Sequence, residues 1–130
     1  MNEIRSLPKK LSFPMLKIMN VNRNADLKEL SLKYVPLLEN LSASYCSLEK
    51  INCLLGCYNL NSVDISFNKL PALESFISAF WPCKNLVSLI FNDNQFNYNI
   101  QEDIQSALDL KLLMTFPYLT NINGNKFKPK

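Results

Sequence analysis

One phrase returns four times along the chain, and its period sets what the chain can fold into. Leu16-x-x-Met19-x-Val21-x-x-Asn24 is followed by Leu38-x-x-Leu41-x-Ala43-x-x-Cys46-x-Leu48. It returns as Leu60-x-x-Val63-x-Ile65-x-x-Asn68-x-Leu70 and as Leu86-x-x-Leu89-x-Phe91-x-x-Asn94-x-Phe96. The first three copies start 22 residues apart, and the last starts 26 after the third (86 − 60 = 26). In each copy the fourth and sixth positions are apolar between polar neighbours, the period of a strand with one buried face. A strand this short cannot bury that face alone. Stacked side by side, the copies form a parallel ladder with a continuous core. Met19 and Val21, Leu41 and Ala43, Val63 and Ile65, and Leu89 and Phe91 are expected to point inward. At the ninth position, where the strand turns away, Asn24, Asn68 and Asn94 can bond backbone groups. Cys46 replaces one rung of that amide ladder with a smaller, weaker donor.

After each strand the chain crosses to the other side of the stack and returns, through residues 49–59 and 71–85. The longer crossing holds Phe76, Ile77, Phe80 and Trp81 at i, i+4 spacing, which predicts one or two helical turns stopped by Pro82. In the first copy Leu27 and Leu30 stand one residue late, so an inserted residue is read there. The alternative start Leu27-x-x-Leu30-x-Leu32-x-x-Val35 leaves only 11 residues before Leu38 (38 − 27 = 11), too few for a repeat, and is rejected.

An open stack exposes its end faces. Ile4, Leu7, Leu11 and Phe13 are available to cover the front. At the back, Asn99 is placed to cap a helix over residues 100–115, with Gln101, Glu102 and Asp103 at its positive end. Ile100, Ile104, Leu108 and Leu112 give that helix an apolar stripe. Phe116-Pro117 ends it, Leu119-x-x-Ile122 supplies a last strand, and Gly124 turns the chain. The expected organisation is an N-terminal cap over 1–13, four repeats over 14–98, a cap helix and last strand over 99–127, and a basic tail at 128–130.

The Leu-x-x-Leu-x-Leu-x-x-Asn/Cys-x-Leu phrase resembles the leucine-rich-repeat family. Together with the ending Asn94-Gln95-Phe96, helix, Phe116-Pro117-Tyr118-Leu119 and Ile122-Asn123-Gly124, it resembles the 22-residue branch of that family. That branch includes the nuclear regulatory subunit of protein phosphatase 1, the A-prime spliceosomal protein, the leucine-rich dynein light chain and mRNA export factors of the Tap kind. The likeness covers about residues 14 to 127. Asn123 departs from it, standing where the branch usually has Asp. The long third repeat around Phe80-Trp81-Pro82 is similar to one in the export factors. The resemblance implies an α/β repeat solenoid: a short right-handed leucine-rich-repeat horseshoe. Its concave side is a parallel sheet, its convex side is helical or irregular, and a C-terminal helix caps it.

Composition narrows the function. The chain has no His and only two glycines, Gly56 and Gly124. The commonest general base is therefore missing, and a Gly-rich phosphate loop has nothing to be built from. No nucleophile–base spacing appears, so the expectation is no catalytic residue, no cofactor, no metal and no small-molecule substrate. Cys46, Cys53, Cys57 and Cys83 lack close Cys-x2-Cys pairs and are read as buried thiols. The net charge of +3 sits in the ends: Arg5, Lys9 and Lys10 at the front, and Lys126, Lys128 and Lys130 at the back. Residues 11–125 hold eight basic and ten acidic residues (8 − 10 = −2). The body is thus no nucleic-acid surface, and RNA is expected only indirectly or through the basic tails. Residues 1–10 carry charge where a signal peptide needs an apolar run, and no segment approaches a membrane span. The expected setting is intracellular, nucleus or cytoplasm, with no membrane partner.

The outward positions three, five, seven and eight of each phrase form the concave face in known horseshoes. They are Ile18, Asn20, Asn22 and Arg23; Asn40, Ser42, Ser44 and Tyr45; Ser62, Asp64, Ser66 and Phe67; and Ser88, Ile90, Asn92 and Asp93. Most are small and neutral. The candidate partner-binding residues are Arg23, Tyr45, Asp64, Phe67, Ile90 and Asp93, because aromatic anchors amid polar contacts characterise interfaces. Tyr45 and Phe67 have a second reading, packing over the turn. Trp81, on the other side, either covers the long repeat or serves as a second anchor. The leading expectation is a non-enzymatic adaptor or scaffold that binds another protein through the concave face. The alternatives are a subunit of an RNA-processing or mRNA-export assembly, or a cytoskeletal or centrosomal adaptor.

Overall fold

The computed structural model describes residues 15–32, 35–52, 58–71, 73–94 and 102–126. Each repeated phrase forms a three-residue strand: β1 (Ile18–Asn20), β3 (Asn40–Ser42), β5 (Ser62–Asp64) and β6 (Ser88–Ile90). A fifth, β7 (Asn121–Ile122), and a short hairpin partner, β8 (Asn125–Lys126), complete a sheet ordered β1-β3-β5-β6-β7-β8. All neighbours are parallel except β7 and β8.

Register follows the repeat. Met19 pairs with Leu41, Leu41 with Val63, Val63 with Leu89, and Leu89 with Ile122. All five are buried in one interior column, with Val21, Ala43, Ile65 and Phe91 two residues on. Each strand therefore buries one side chain between two outward ones, and stability comes from the stacking of rungs.

The crossings carry more order than expected. Leu30 lies in β2 (Glu29–Ser31), which pairs in parallel with β4 (Lys50–Asn52), Leu30 opposite Ile51, as a separate two-stranded sheet. The rejected repeat start is thus a strand of the opposite side, and that side, expected to be helical or irregular, is partly sheet. The offset there is 21 residues (51 − 30 = 21) against 22 in the main sheet (41 − 19 = 22), which is the inserted residue of the first copy. Ser47 N–H donates to Leu27 O at 3.1 Å and so closes the same seam.

The four extra residues of the third copy are used in α1 (Leu73–Phe80), 8 residues or about two turns, as the spacing predicts. Trp81 N–H donates to Ile77 O before Pro82 ends the helix. Phe76 and Phe80 are buried and stacked, with centroids 4.4 Å apart, and Phe76 meets Phe116 edge-on at 6.2 Å. Phe116 follows α2 (Glu102–Thr115), so these rings join the long crossing to the C-terminal helix. Of the expected stripe on α2, Leu112 is buried in the core. The side chains of Ile104 and Leu108 lie outside the described residues, as do Asn99, Ile100, Gln101, the N-terminal cap with Ile4, Leu7, Leu11 and Phe13, and the thiols Cys53 and Cys57. Cys46 and Cys83 are buried and not in a disulfide.

The ninth-position ladder forms as a chain of shared amides. Asn68 Nδ2 donates to Ile65 O in its own repeat (2.9 Å) and Ala43 O in the one before (2.8 Å), while its Oδ1 accepts from Leu48 N–H (3.1 Å). Asn94 repeats the pattern with Phe91 O, Ile65 O and Leu70 N–H. Cys46 keeps only the donor half, its Sγ reaching Val21 O at 3.2 Å. In the first copy Leu27 N–H, the counterpart of Leu48 and Leu70 N–H once the inserted residue is counted, is bonded to Asn24 O instead (3.0 Å). No helix among the described residues is long and apolar enough to cross a membrane.

Candidate protein-binding face

The outward side of the main sheet is built in columns, because each outward position lies beside its equivalent one repeat on. In column three, Ile18 is 67% exposed beside the small polar residues Asn40, Ser62 and Ser88. In column five, Ser42, Asp64 and Ile90 stand in register and are half-buried. Asp64 Oδ1 accepts from the N–H (3.0 Å) and Oγ (2.6 Å) of Ser66, which fixes the carboxylate in place.

Column seven corrects the expected face. Ser44 and Ser66 are only 7% and 6% exposed, so they line the turn and not the surface. By that position the strand has ended and the alternation of sides no longer holds. Asn22 uses its Oδ1 between repeats, accepting from Ser42 Oγ and Ser44 N–H, each at 2.8 Å. Asn92 is exposed.

Column eight carries the main finding. Arg23, Tyr45, Phe67 and Asp93 all have left-handed backbones, with φ of 62°, 55°, 56° and 60°. For bulky L-residues this region is disfavoured. It is held here by the ladder: Arg23, Tyr45 and Phe67 N–H groups donate to Ser44, Ser66 and Asn92 O at 2.9, 3.2 and 2.8 Å. All four side chains are exposed. Tyr45 and Phe67 stack with centroids 4.3 Å apart and planes 7° from parallel, and the Arg23 guanidinium lies 4.6 Å over the Tyr45 ring. Both rings remain exposed, 44% and 42%.

Of the six residues singled out from the sequence, Arg23, Tyr45 and Phe67 thus touch in one column. Asp93 follows at its end, and Asp64 and Ile90 stand side by side in the neighbouring column. Sequence reasoning left Ile18 out of the six despite its exposure. It also missed the left-handed backbone, since no Gly or Asn marks position eight in any copy. On the opposite side, Trp81 is half-exposed with Lys84 Nζ 5.7 Å over its ring, and Lys84 donates to Thr115 O at 2.9 Å. A recess of about 430 Å³ lies between β4 and α1, lined in part by Ile51, Leu70 and Phe76. No group of three metal-ligating side chains occurs among the described residues.

No family model matches the chain. It is 36% identical over 92 residues to the human leucine-rich repeat- and IQ domain-containing protein 1. That match covers 71% of this chain and spans about 5% of the length of the relative. Among solved structures, a chain of the Drosophila melanogaster SNF/U2A' complex superposes with a TM-score of 0.65 at 18% identity, covering 88% of this chain and 63% of that one.

Proposed function

The chain belongs to the leucine-rich-repeat family, and from that premise we propose that it is a protein-interaction module that grips a protein partner on its concave face. The observation that carries this reading is the column of Arg23, Tyr45 and Phe67. Two aromatic rings stand stacked, exposed and backbone-locked on a mostly small and polar surface. Rigid aromatic anchors lose little conformational freedom on binding, and interfaces concentrate their energy in such residues. Asp64, Ile90 and Asp93 extend the contact patch on the same side. Ser66 Oγ donates to the Asp64 carboxylate but is only 6% exposed, so the proposed role is holding a partner and not turning over a substrate.

The test is capture from the protein's own cells with the parent chain and with a Tyr45→Asn, Phe67→Asn double variant. Asn tolerates the left-handed backbone, so the surface changes while the turn is kept. A partner retained by the parent and lost with the variant supports the reading. A partner held equally by both removes the concave face as the site.

A second reading, membership of an RNA-handling assembly, is favoured by the fold match to a chain of the SNF/U2A' complex. In such an assembly this domain would contact protein, because Asp64 and Asp93 on the face oppose phosphate. Salt-titrated RNA binding with and without residues 126–130 separates direct contact through the basic tail from membership alone.

A further inference from the structure

The ladder of rings is closed at one end and open at the other. Arg23 covers the free face of Tyr45, at 4.6 Å, and Phe67 covers its second face, at 4.3 Å. The remaining face of Phe67 looks toward the rung held by Asp93. Neighbouring rungs of a sheet stand about 4.8 Å apart, and an Asp side chain is much shorter than a Phe ring. Phe67 is 42% exposed and among the described residues its ring is stacked only on Tyr45, so its outer face beside the exposed Asp93 rung is left open as a slot for a partner's side chain. Among the described residues the Asp93 carboxylate has no hydrogen-bond or ion-pair partner. Asp64, held by Ser66, adds a second negative charge in the same repeat as Phe67.

We propose that this slot takes an arginine side chain of a protein partner, stacked on Phe67 and paired with Asp93. The inference rests on the reading of the face as a partner-binding surface and names the chemistry of what it holds. A cation gains from both the negative π face and the carboxylate, whereas an anion is opposed by both. Arginine fits better than lysine, because its guanidinium is flat, stacks on rings and meets a carboxylate with two parallel hydrogen bonds. The molecule already makes a related contact at the other end of the column, where its own Arg23 guanidinium lies 4.6 Å over the Tyr45 ring. A nucleobase could also stack, but its phosphates would lie against Asp64 and Asp93. The backbone hydrogen bonds that lock position eight place the wall before the partner arrives, so little ordering remains to oppose binding.

The test is an NMR titration of the isotope-labelled chain with N-acetyl-arginine amide, with the lysine and citrulline analogues and a short oligouridine as comparators. The expected result is a response centred on Phe67 and Asp93, at least about threefold stronger for arginine than for lysine or citrulline. Asp93→Asn should abolish that preference, and Lys111→Gln, an exposed position on α2 outside the proposed face, should leave it. Equal responses to arginine and lysine overturn the proposal. So do no response at Phe67, indifference to Asp93→Asn, or the same shifts with oligouridine. If arginine fails while the Tyr45→Asn, Phe67→Asn variant still loses its captured partner, the slot falls and the face stands. If the arginine response holds while capture ignores that double variant, the face reading falls instead.

Discussion

The ring of Phe67 lies flat on the ring of Tyr45, 4.3 Å away and 7° from parallel, although 22 residues separate them (67 − 45 = 22). Both sit at left-handed φ. That backbone costs an L-residue about 1–2 kcal/mol, while a stacked aromatic pair returns about 0.5–1.5 kcal/mol beyond its area. The stack alone thus does not offset the strain of two residues. Side chains that the fold does not need, at positions that resist them, point to use by a partner.

We therefore predict that Tyr45→Asn and Phe67→Asn, singly or together, change unfolding free energy by less than about 1 kcal/mol, since relief of strain offsets the lost stack. Urea denaturation measures it. A loss above about 2 kcal/mol for either variant would make the rings structural and weaken the binding assignment.

How much of this was readable beforehand depended on periodicity. Met19, Leu41, Val63 and Leu89 alternate with polar neighbours, so their inward column could be read before any coordinates. Ser44 and Ser66 look identical to Ser42 and Ser62 in sequence, yet lie past the strand end, where alternation fails and burial follows the turn. β2 did show the period, as Leu27-x-x-Leu30-x-Leu32, but it stands too close to Leu38 to read as a repeat start, and so its pairing with β4 went unseen. The column-eight backbone left no trace, because hydrogen bonds from adjacent repeats impose it on Arg, Tyr, Phe and Asp alike.

The ladder makes Cys46 and Asn68 unequal. Asn68→Cys would leave the buried Leu48 N–H without its acceptor and should cost about 1–3 kcal/mol. Cys46→Asn should not stabilise, because Leu27 N–H is already bonded to Asn24 O and the new Oδ1 would find no donor. Thermal unfolding of the two variants checks this asymmetry. A clear gain from Cys46→Asn would refute it.

Cys46 also sets a pH dependence. Burial raises its thiol above the ordinary value of 9.0, partly opposed by hydrogen bonds from the Asn24 and Arg23 backbone. Below 9.0 folded and unfolded chains both hold the proton, and this contribution to stability is complete. As pH climbs past 9.0 the unfolded chain releases its proton first, so stability falls until the folded value is passed. The parent should lose stability relative to Cys46→Ser as pH rises above 9.0. Parallel melting curves for parent and variant would sink the prediction.

Phe116 ties the C-terminal helix to the long crossing through its edge-on contact with Phe76, and it is fully buried. Phe116→Ala should cost about 3–5 kcal/mol. Single-step unfolding followed both by far-UV signal and by Trp81 fluorescence would show that the helix and the repeats melt as one unit. A low-temperature step confined to helical signal would show instead that α2 is separately stable.

Gly124 closes the β7–β8 hairpin at φ +88°, after Asn123 at +54°. Positive φ at both central residues is the pattern of a type I′ turn, for which Asn-Gly is favoured. A Cβ at position 124 would meet nothing within 4 Å, so Gly124→Ala tests backbone strain alone. The expected loss is about 1 kcal/mol, with Gly124→Asn costing less because Asn visits this region. Faster hydrogen exchange should be confined to the hairpin amides around Asn121 and Lys126. If Gly124→Ala and Gly124→Asn destabilise equally, the left-handed backbone at this position is not what limits the substitution.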